Sequence, residues 1–204
     1  NAHLIDGVAL TKFIFWLKHK KKLNITEVDA QNKLEHFRKR NPKYLFPSFN
    51  TIAGSGKNGA IVHYRANKNN TKFLKKNEIF LCDSGGQYKF GTTDVTRTIC
   101  FTRQNQEIQN IFTNVLKGHI AVVQTNLNKK KTGKLIDIEA RKFLKKKGLD
   151  YSHGTGHGVG FFLNVHEGPQ AISKQNSVKI QSGMILSNEP GYYKQGKFGI
   201  RIEN

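Results

Sequence analysis

Only 14 of the 204 residues are acidic, and four of these (Asp83, Asp94, Glu189 and Glu203) lie in or beside apolar, strand-like runs. An unpaired carboxylate is costly to bury. One such acid is accounted for by a strand-end pairing with Lys or Arg. Four, set in a layout that occurs twice with a histidine-bearing segment between, are better accounted for by metal ions. Oxygen ligands with one imidazole suit hard or borderline divalent ions such as Mn²⁺, Co²⁺ or Zn²⁺. Several carboxylates can bridge two ions about 3.5–4 Å apart, as in two-metal hydrolytic sites. The intervening segment, His153-Gly154-Thr155-Gly156-His157-Gly158-Val159-Gly160, spaces two histidines four apart. It lacks the Glu of the HExxH helix, and its glycines disfavour any helix. An extended glycine-rich segment instead lets backbone approach a metal or substrate closely. Gly54-Ser55-Gly56-Lys57 is a false phosphate loop, because Thr51 replaces its first required Gly and Asn58 its Ser/Thr.

The elements that must carry these residues fall into two similar halves. Leu10, Phe13, Ile14 and Leu17 form a helical stripe, predicting a helix from about Asp6 to Lys21. A second helix follows the cap residue Thr26 and closes at Asn41-Pro42. Strand-like pieces are expected at Thr51–Ala53, Ala60–Tyr64, Ile79–Asp83 and Asp94–Phe101, the last two as an antiparallel pair joined through a Gly-Gly turn. The second half predicts a long helix from about Gln104 and a shorter one from about Ile136 to Lys147, stopped by Gly148. Strands are then expected at Met184–Glu189 and Gly199–Glu203. Asp83 and Asp94 are separated by eleven residues, Glu189 and Glu203 by fourteen, which suits opposite arms of hairpin-like pairs. The expected fold is a pseudo-two-fold α/β domain with its four carboxylates meeting at the centre.

Composition excludes several classes. The net charge is +20, but 27 of the 34 basic residues are Lys and seven are Arg, alongside 19 Asn. Arg is the residue expected at bidentate phosphate and guanine contacts. The excess of Lys, Asn, Phe and Ile therefore reads as an AT-rich coding bias, and no nucleic-acid partner is expected. No apolar run approaches the ~20 residues of a membrane span, so no membrane partner is expected either. Cys82 and Cys100 make no disulfide framework, which points to a reducing, cytoplasmic compartment.

Several longer motifs carry a resemblance. Asp83-Ser84-Gly85-Gly86-Gln87-Tyr88, Gly91-Thr92-Thr93-Asp94-Val95-Thr96-Arg97-Thr98 and His153 to Gly160 closely resemble aminopeptidase P, the Xaa-Pro aminopeptidase family. So do Phe162-Leu163-Asn164-Val165-His166-Glu167-Gly168-Pro169, Asn188-Glu189-Pro190-Gly191-Tyr192-Tyr193 and Gly199-Ile200-Arg201-Ile202-Glu203-Asn204. The resemblance runs in order from Ala2-His3 to the last residue, and is to the eukaryotic-type, three-domain form. It implies the pita-bread α/β fold and two divalent ions, most often Mn²⁺, held by Asp83, Asp94, His157, Glu189 and Glu203. Asp94 and Glu203 would bridge the ions, His157 and Glu189 would complete one, and Asp83 the other. It further implies substrate-side roles for His63, His153 and His166, catalytic roles for Glu189, His166 and His63, and support of the metal-bound Asp by Tyr193 and Arg201. The implied reaction is hydrolysis between an N-terminal residue and a following proline, with a homodimer in the full-length protein. Prolidase, which cuts Xaa-Pro dipeptides with the same five ligands, is the alternative within the fold. An inactive pita-bread binding module is the alternative outside enzymes, disfavoured because all five ligand types are present. The resemblance also implies that residues 1–204 are a catalytic domain cut from something larger, and that this piece alone would be poorly active or unstable.

Overall fold

The computed structural model describes residues 1–162 and 164–204; Leu163, within the fourth motif, lies outside them. Among the described residues, two helix pairs and four small antiparallel sheets build the fold. Helices α1 (Ala2–Lys18) and α2 (Glu27–Lys39) pack on each other and cover a sheet of order β2 (Ile52–Ser55), β3 (Ile79–Ser84) and β6 (Val95–Cys100). Phe13, Leu17, Ala30, Leu34, Phe80 and Cys82 fill the space between them, each fully buried. Burial of each large side chain in that set contributes roughly 1.5–3 kcal/mol. In the second half, α3 (Gln106–Val123) packs on α4 (Gly133–Lys145), with Val115 and Leu144 against Ile200 and Phe198 of β10 (Phe198–Arg201). β10 pairs with β9 (Gly191–Lys194).

Local chemistry explains the helix starts. Thr26 accepts from the Asp29 amide (3.1 Å) while the Asp29 carboxylate accepts from the Thr26 amide (2.9 Å). This capping box ties off two otherwise orphaned donors. Asn105 caps α3 by accepting from the Ile108 amide at 3.0 Å. The repeat extends to detail. Thr26 and Thr132, each preceding the second helix of its half, form isolated antiparallel bridges to Phe73 and Lys179, the same sequence distance downstream in both halves.

The halves join where β10 crosses β6. Thr98 Oγ1 donates to the Arg201 carbonyl at 2.9 Å and accepts from its amide at 3.1 Å. On its other side β10 lies on the 3-10 helix Gly56–Ala60 so closely that a Cβ on Gly199 would sit 1.8 Å from the Gly59 carbonyl oxygen. Only glycine fits there.

Several expectations need correction. The first helix begins at Ala2, enclosing Asp6, which is buried and paired with Arg38. Ala60–Tyr64 is not a strand. The chain turns there (Tyr64 amide to Ile61 carbonyl, 3.1 Å), and the turn brings the Tyr64 hydroxyl to buried Glu27 at 2.9 Å. A Gly-Gly turn does not join β3 to β6: Gly85 leads into β4 (Gly86–Tyr88), which pairs with β5 (Gly91–Thr92) and with β1 (Tyr44–Pro47), a strand not anticipated. Met184–Glu189 is not a regular strand either. It runs beside β7 (Gly156–Val159) through single bonds, and the ladder breaks where the His157 amide donates to the Ser187 hydroxyl in place of a carbonyl.

Candidate metal centre

The four carboxylates and the glycine–histidine segment do meet, in a cavity of about 560 Å³ at the junction of the halves. Asp83 sits at the end of β3 and Asp94 immediately before β6, which pairs with it antiparallel. Glu189 precedes β9 and Glu203 follows β10. The Glu189 amide is fixed to the Thr155 carbonyl (2.7 Å) and the Glu203 amide to the Thr96 carbonyl (3.3 Å). His157 projects from β7, paired with β8 (His166–Ile172).

Ligand atoms of Asp94, His157 and Glu203 lie within 4.8 Å of one another. His157 Nε2 is 3.1 Å from Asp94 Oδ2 and 3.4 Å from Glu189 Oε1. Its Nδ1 lies 2.9 Å from the Gly158 carbonyl, the bond that fixes the tautomer and leaves Nε2 facing the carboxylates. Ser187 Oγ donates to Glu189 Oε1 at 3.1 Å, and Thr96 Oγ1 donates to Glu203 Oε2 at 2.6 Å. Arg201, 2% exposed, donates to Asp83 Oδ2 (2.7 Å), Thr96 Oγ1 (3.1 Å) and the Tyr193 hydroxyl.

The electrostatics ask for cations. One buried guanidinium faces four carboxylates. Burial, only partly offset by Arg201 and His157, pushes Glu189 up to about 7. Burial and the neighbouring Asp83 and Asp94 push Glu203 well above the carboxylate range. Asp83 is raised by burial against the pull of Arg201. Its Oδ1 is buried with no hydrogen-bond partner among the described residues, and buried polar atoms are rarely left so. An unpartnered carboxylate oxygen on a residue lining a cavity that also holds three more carboxylates and an imidazole fits a divalent ion, and a donor set of four carboxylates and one nitrogen suits two.

Of the other sequence-predicted residues, His63 and His166 line the same cavity, with the His166 ring 4.1 Å from that of His157. Burial and the His157 charge lower His166. His153 also lines it, but both ring nitrogens are engaged. Nδ1 donates to the Gly154 carbonyl (2.7 Å), and Nε2 accepts from the Tyr193 hydroxyl (2.8 Å), whose oxygen is occupied by Arg201. Burial, then Arg201, hold its pKa down to about 4, so it stays neutral. Tyr193 thus reaches Asp83 through Arg201 and not directly.

Two supporting residues were not singled out from the sequence: Thr96 and Ser187. The available signal was period-two spacing, which places Thr96 on the same strand face as Asp94, and Ser187 two residues before Glu189.

A two-half α/β fold with five such side chains converging at its centre defines a class of metal-dependent hydrolases, and the chain belongs to metallopeptidase family M24, whose profile matches residues 1–204. The architecture is the pita-bread fold. The chain is 48% identical, over its whole length, to a probable Xaa-Pro aminopeptidase P of Phaeosphaeria nodorum, covering 32% of that protein. It therefore spans about a third of the curated relatives it matches. Among solved structures it is similar to the X-prolyl aminopeptidase of Caenorhabditis elegans, described as a cytosolic enzyme with a di-nuclear active site (TM-score 0.93, 40% identity, all of this chain and 34% of that one). It is also similar to the prolidase of Pyrococcus furiosus (TM-score 0.86, 29% identity, all of this chain and 57% of that one).

Proposed function

We propose that this chain hydrolyses the peptide bond between an N-terminal residue and a following proline, using two divalent ions held by Asp83, Asp94, His157, Glu189 and Glu203. The observation that carries the reading is the convergence of Asp94, His157 and Glu203 ligand atoms within 4.8 Å beside the unpartnered, buried Asp83 Oδ1. In this assignment Asp94 and Glu203 would be shared between the ions, His157 and Glu189 would serve one, and Asp83 would serve the other. When bound, the pair supplies an acidified water and positive charge for the developing oxyanion.

The protein's own groups do the rest. Glu189, its carboxylate oriented by Ser187, takes the proton of the attacking water and passes it to the prolyl nitrogen. His166 and His63, on the cavity wall, hydrogen-bond the oxyanion. His153, fixed as a neutral ring by Gly154 and Tyr193, shapes the substrate side without adding charge. Arg201 donates to Asp83 Oδ2 and orients that carboxylate toward the site. Proline's nitrogen carries no hydrogen, so the site selects ring shape and not an N–H contact.

Mn²⁺ is the metal assigned here, with Co²⁺ or Zn²⁺ able to occupy the same donors. A homodimeric, cytosolic protein is part of the same reading, supported for location by the nematode relative's description as cytosolic. Among the described residues no helix is long and apolar enough to cross a membrane. Prolidase-type dipeptide cleavage is the competing activity, favoured by the Pyrococcus likeness but at lower identity. The test is hydrolysis of Arg-Pro-Pro and of Xaa-Pro dipeptides by the full-length protein, with Mn²⁺ and with chelator. Metal-dependent release of arginine from the tripeptide supports the reading. Cleavage of dipeptides alone makes it a prolidase, and no metal-dependent cleavage of either overturns it.

A further inference from the structure

One buried histidine lies outside the ligand set and outside the reaction just described. His119, on α3, is 7% exposed and sits behind the metal centre, within neither the cavity nor the two main apolar clusters. Its contacts reach across the chain. Nδ1 lies 3.0 Å from the Asn188 carbonyl oxygen, and Nε2 lies 3.3 Å from Asn204 Nδ2. Its own carbonyl accepts from Asn188 Nδ2 at 3.0 Å. Since a carbonyl can only accept, Nδ1 carries the proton and Nε2 accepts from the Asn204 amide. The ring is therefore neutral, in keeping with a pKa lowered chiefly by burial.

The two asparagines are themselves joined. The Asn188 amide donates to the Asn204 carbonyl (3.0 Å), and the Asn204 amide donates back to the Asn188 carbonyl (3.4 Å). Arg97 closes the far side, donating to Asn204 Oδ1 (2.9 Å) and to the Glu203 carbonyl (2.6 Å). Asn188 immediately precedes Glu189, and Asn204 immediately follows Glu203. The clasp thus fixes the backbone on which both glutamates stand. These reciprocal bonds continue the β9–β10 register, in which Phe198 faces Lys194 and Arg201 faces Gly191.

We infer that His119 is a positioning residue for the metal pair: by clasping Asn188 to Asn204 from α3, it sets the separation of the Glu189 and Glu203 carboxylates. This rests on the two-metal reading above. Partners that orient ligands typically alter metal affinity 10–100-fold when removed. His119 acts one residue further back, so the lower end of that range applies.

The experiment uses the full-length protein as wild type, His119→Ala, His119→Asn and Asn204→Ala. The Asn replacement keeps a donor near the position of Nδ1. Folding is checked by circular dichroism, Mn²⁺ affinity and stoichiometry by titration, and ligand geometry by the visible spectrum of the Co²⁺-loaded protein. The expectation is about tenfold weaker binding of at least one ion and an altered Co²⁺ spectrum in His119→Ala. Asn204→Ala should change in the same direction, and His119→Asn should recover part of the affinity. Folded variants that bind two ions with wild-type affinity and spectrum would overturn the inference while leaving the two-metal reading intact. If His119→Ala does not fold, Asn204→Ala and His119→Asn decide the question alone. A wild-type protein that binds no divalent ion would sink the two-metal reading, and this inference with it.

Discussion

Replacing Thr96 by Val removes one hydroxyl from the middle of the site and changes little else in shape. Thr96 is fully buried; its Oγ1 donates to Glu203 Oε2 at 2.6 Å and accepts from Arg201 Nε at 3.1 Å. The variant leaves a buried carboxylate oxygen and a buried guanidinium N–H each short of one partner. An unsatisfied buried group costs about 1–3 kcal/mol, so the pair should cost roughly 2–6 kcal/mol, against a whole-domain stability of ~5–15 kcal/mol. The loss also acts on the metal. Burial beside Asp83 and Asp94 already pushes Glu203 toward its protonated form, and removing a donor pushes it further. Loss of a partner that orients a ligand weakens metal binding about 10–100-fold, equivalent to about 1.4–2.8 kcal/mol. Urea denaturation with and without saturating Mn²⁺ separates the two effects, because metal stabilises the folded state only through its affinity. The midpoint should fall in both conditions, and the Mn²⁺-induced increment should shrink. Stability within about 0.5 kcal/mol of wild type, with an unchanged Mn²⁺ increment, would refute the assignment of Thr96 as the link between Arg201 and Glu203.

Three further outcomes are expected. Asp6 and Arg38 form a buried ion pair (2.7 Å, 2% and 1% exposed side chains) in which Tyr88 also donates to Asp6; Asp6→Asn leaves Arg38 uncompensated and should cost about 3–5 kcal/mol, read by chemical denaturation. Burial opposes ionisation of Asp6, but the Arg38 hydrogen bond and charge outweigh it and lower its pKa. Its stabilisation is therefore complete above the unfolded value near 3.9 and is lost as pH falls through the lower folded value. Wild type should destabilise more steeply than Asp6→Asn across that acid window, and parallel pH profiles would contradict the pairing. Gly199→Ala should fail to yield stable protein, since the added methyl meets the Gly59 carbonyl oxygen at 1.8 Å between two backbones; a variant with wild-type thermal midpoint would show that the β10 crossing is looser than described.

Much of the site was legible because its chemistry is encoded in residue type. Asp83, Asp94, Glu189 and Glu203 stood out as carboxylates among apolar strands, and the His153–Gly160 run as two imidazoles in a stretch too rich in glycine to be helical; only the family resemblance distinguished His157 from His153. The helices were legible for the same kind of reason: Leu10, Phe13 and Leu17 share one face, and Thr26 signals a capped start. What failed were positions governed by partners distant in sequence. Val62, His63 and Tyr64 carry strand-forming residue types, yet the Tyr64 hydroxyl bonds to Glu27, and the backbone turns to deliver it. Met184 to Glu189 reads as a strand, yet the Ser187 side chain takes the bond a strand partner would supply. His119 carries no local signal, because its side-chain hydrogen-bond partners, Asn188 and Asn204, lie 69 and 85 residues away.

The central claim is that five side chains hold two ions at the junction of the halves. Anomalous diffraction from crystals of the Mn²⁺-loaded, full-length protein tests it most directly. The account predicts two peaks about 3.5–4 Å apart, both among Asp83, Asp94, His157, Glu189 and Glu203, and the loss of both in Asp94→Ala. A well-loaded crystal with no peak among these residues, or with Asp94→Ala retaining both, would contradict it.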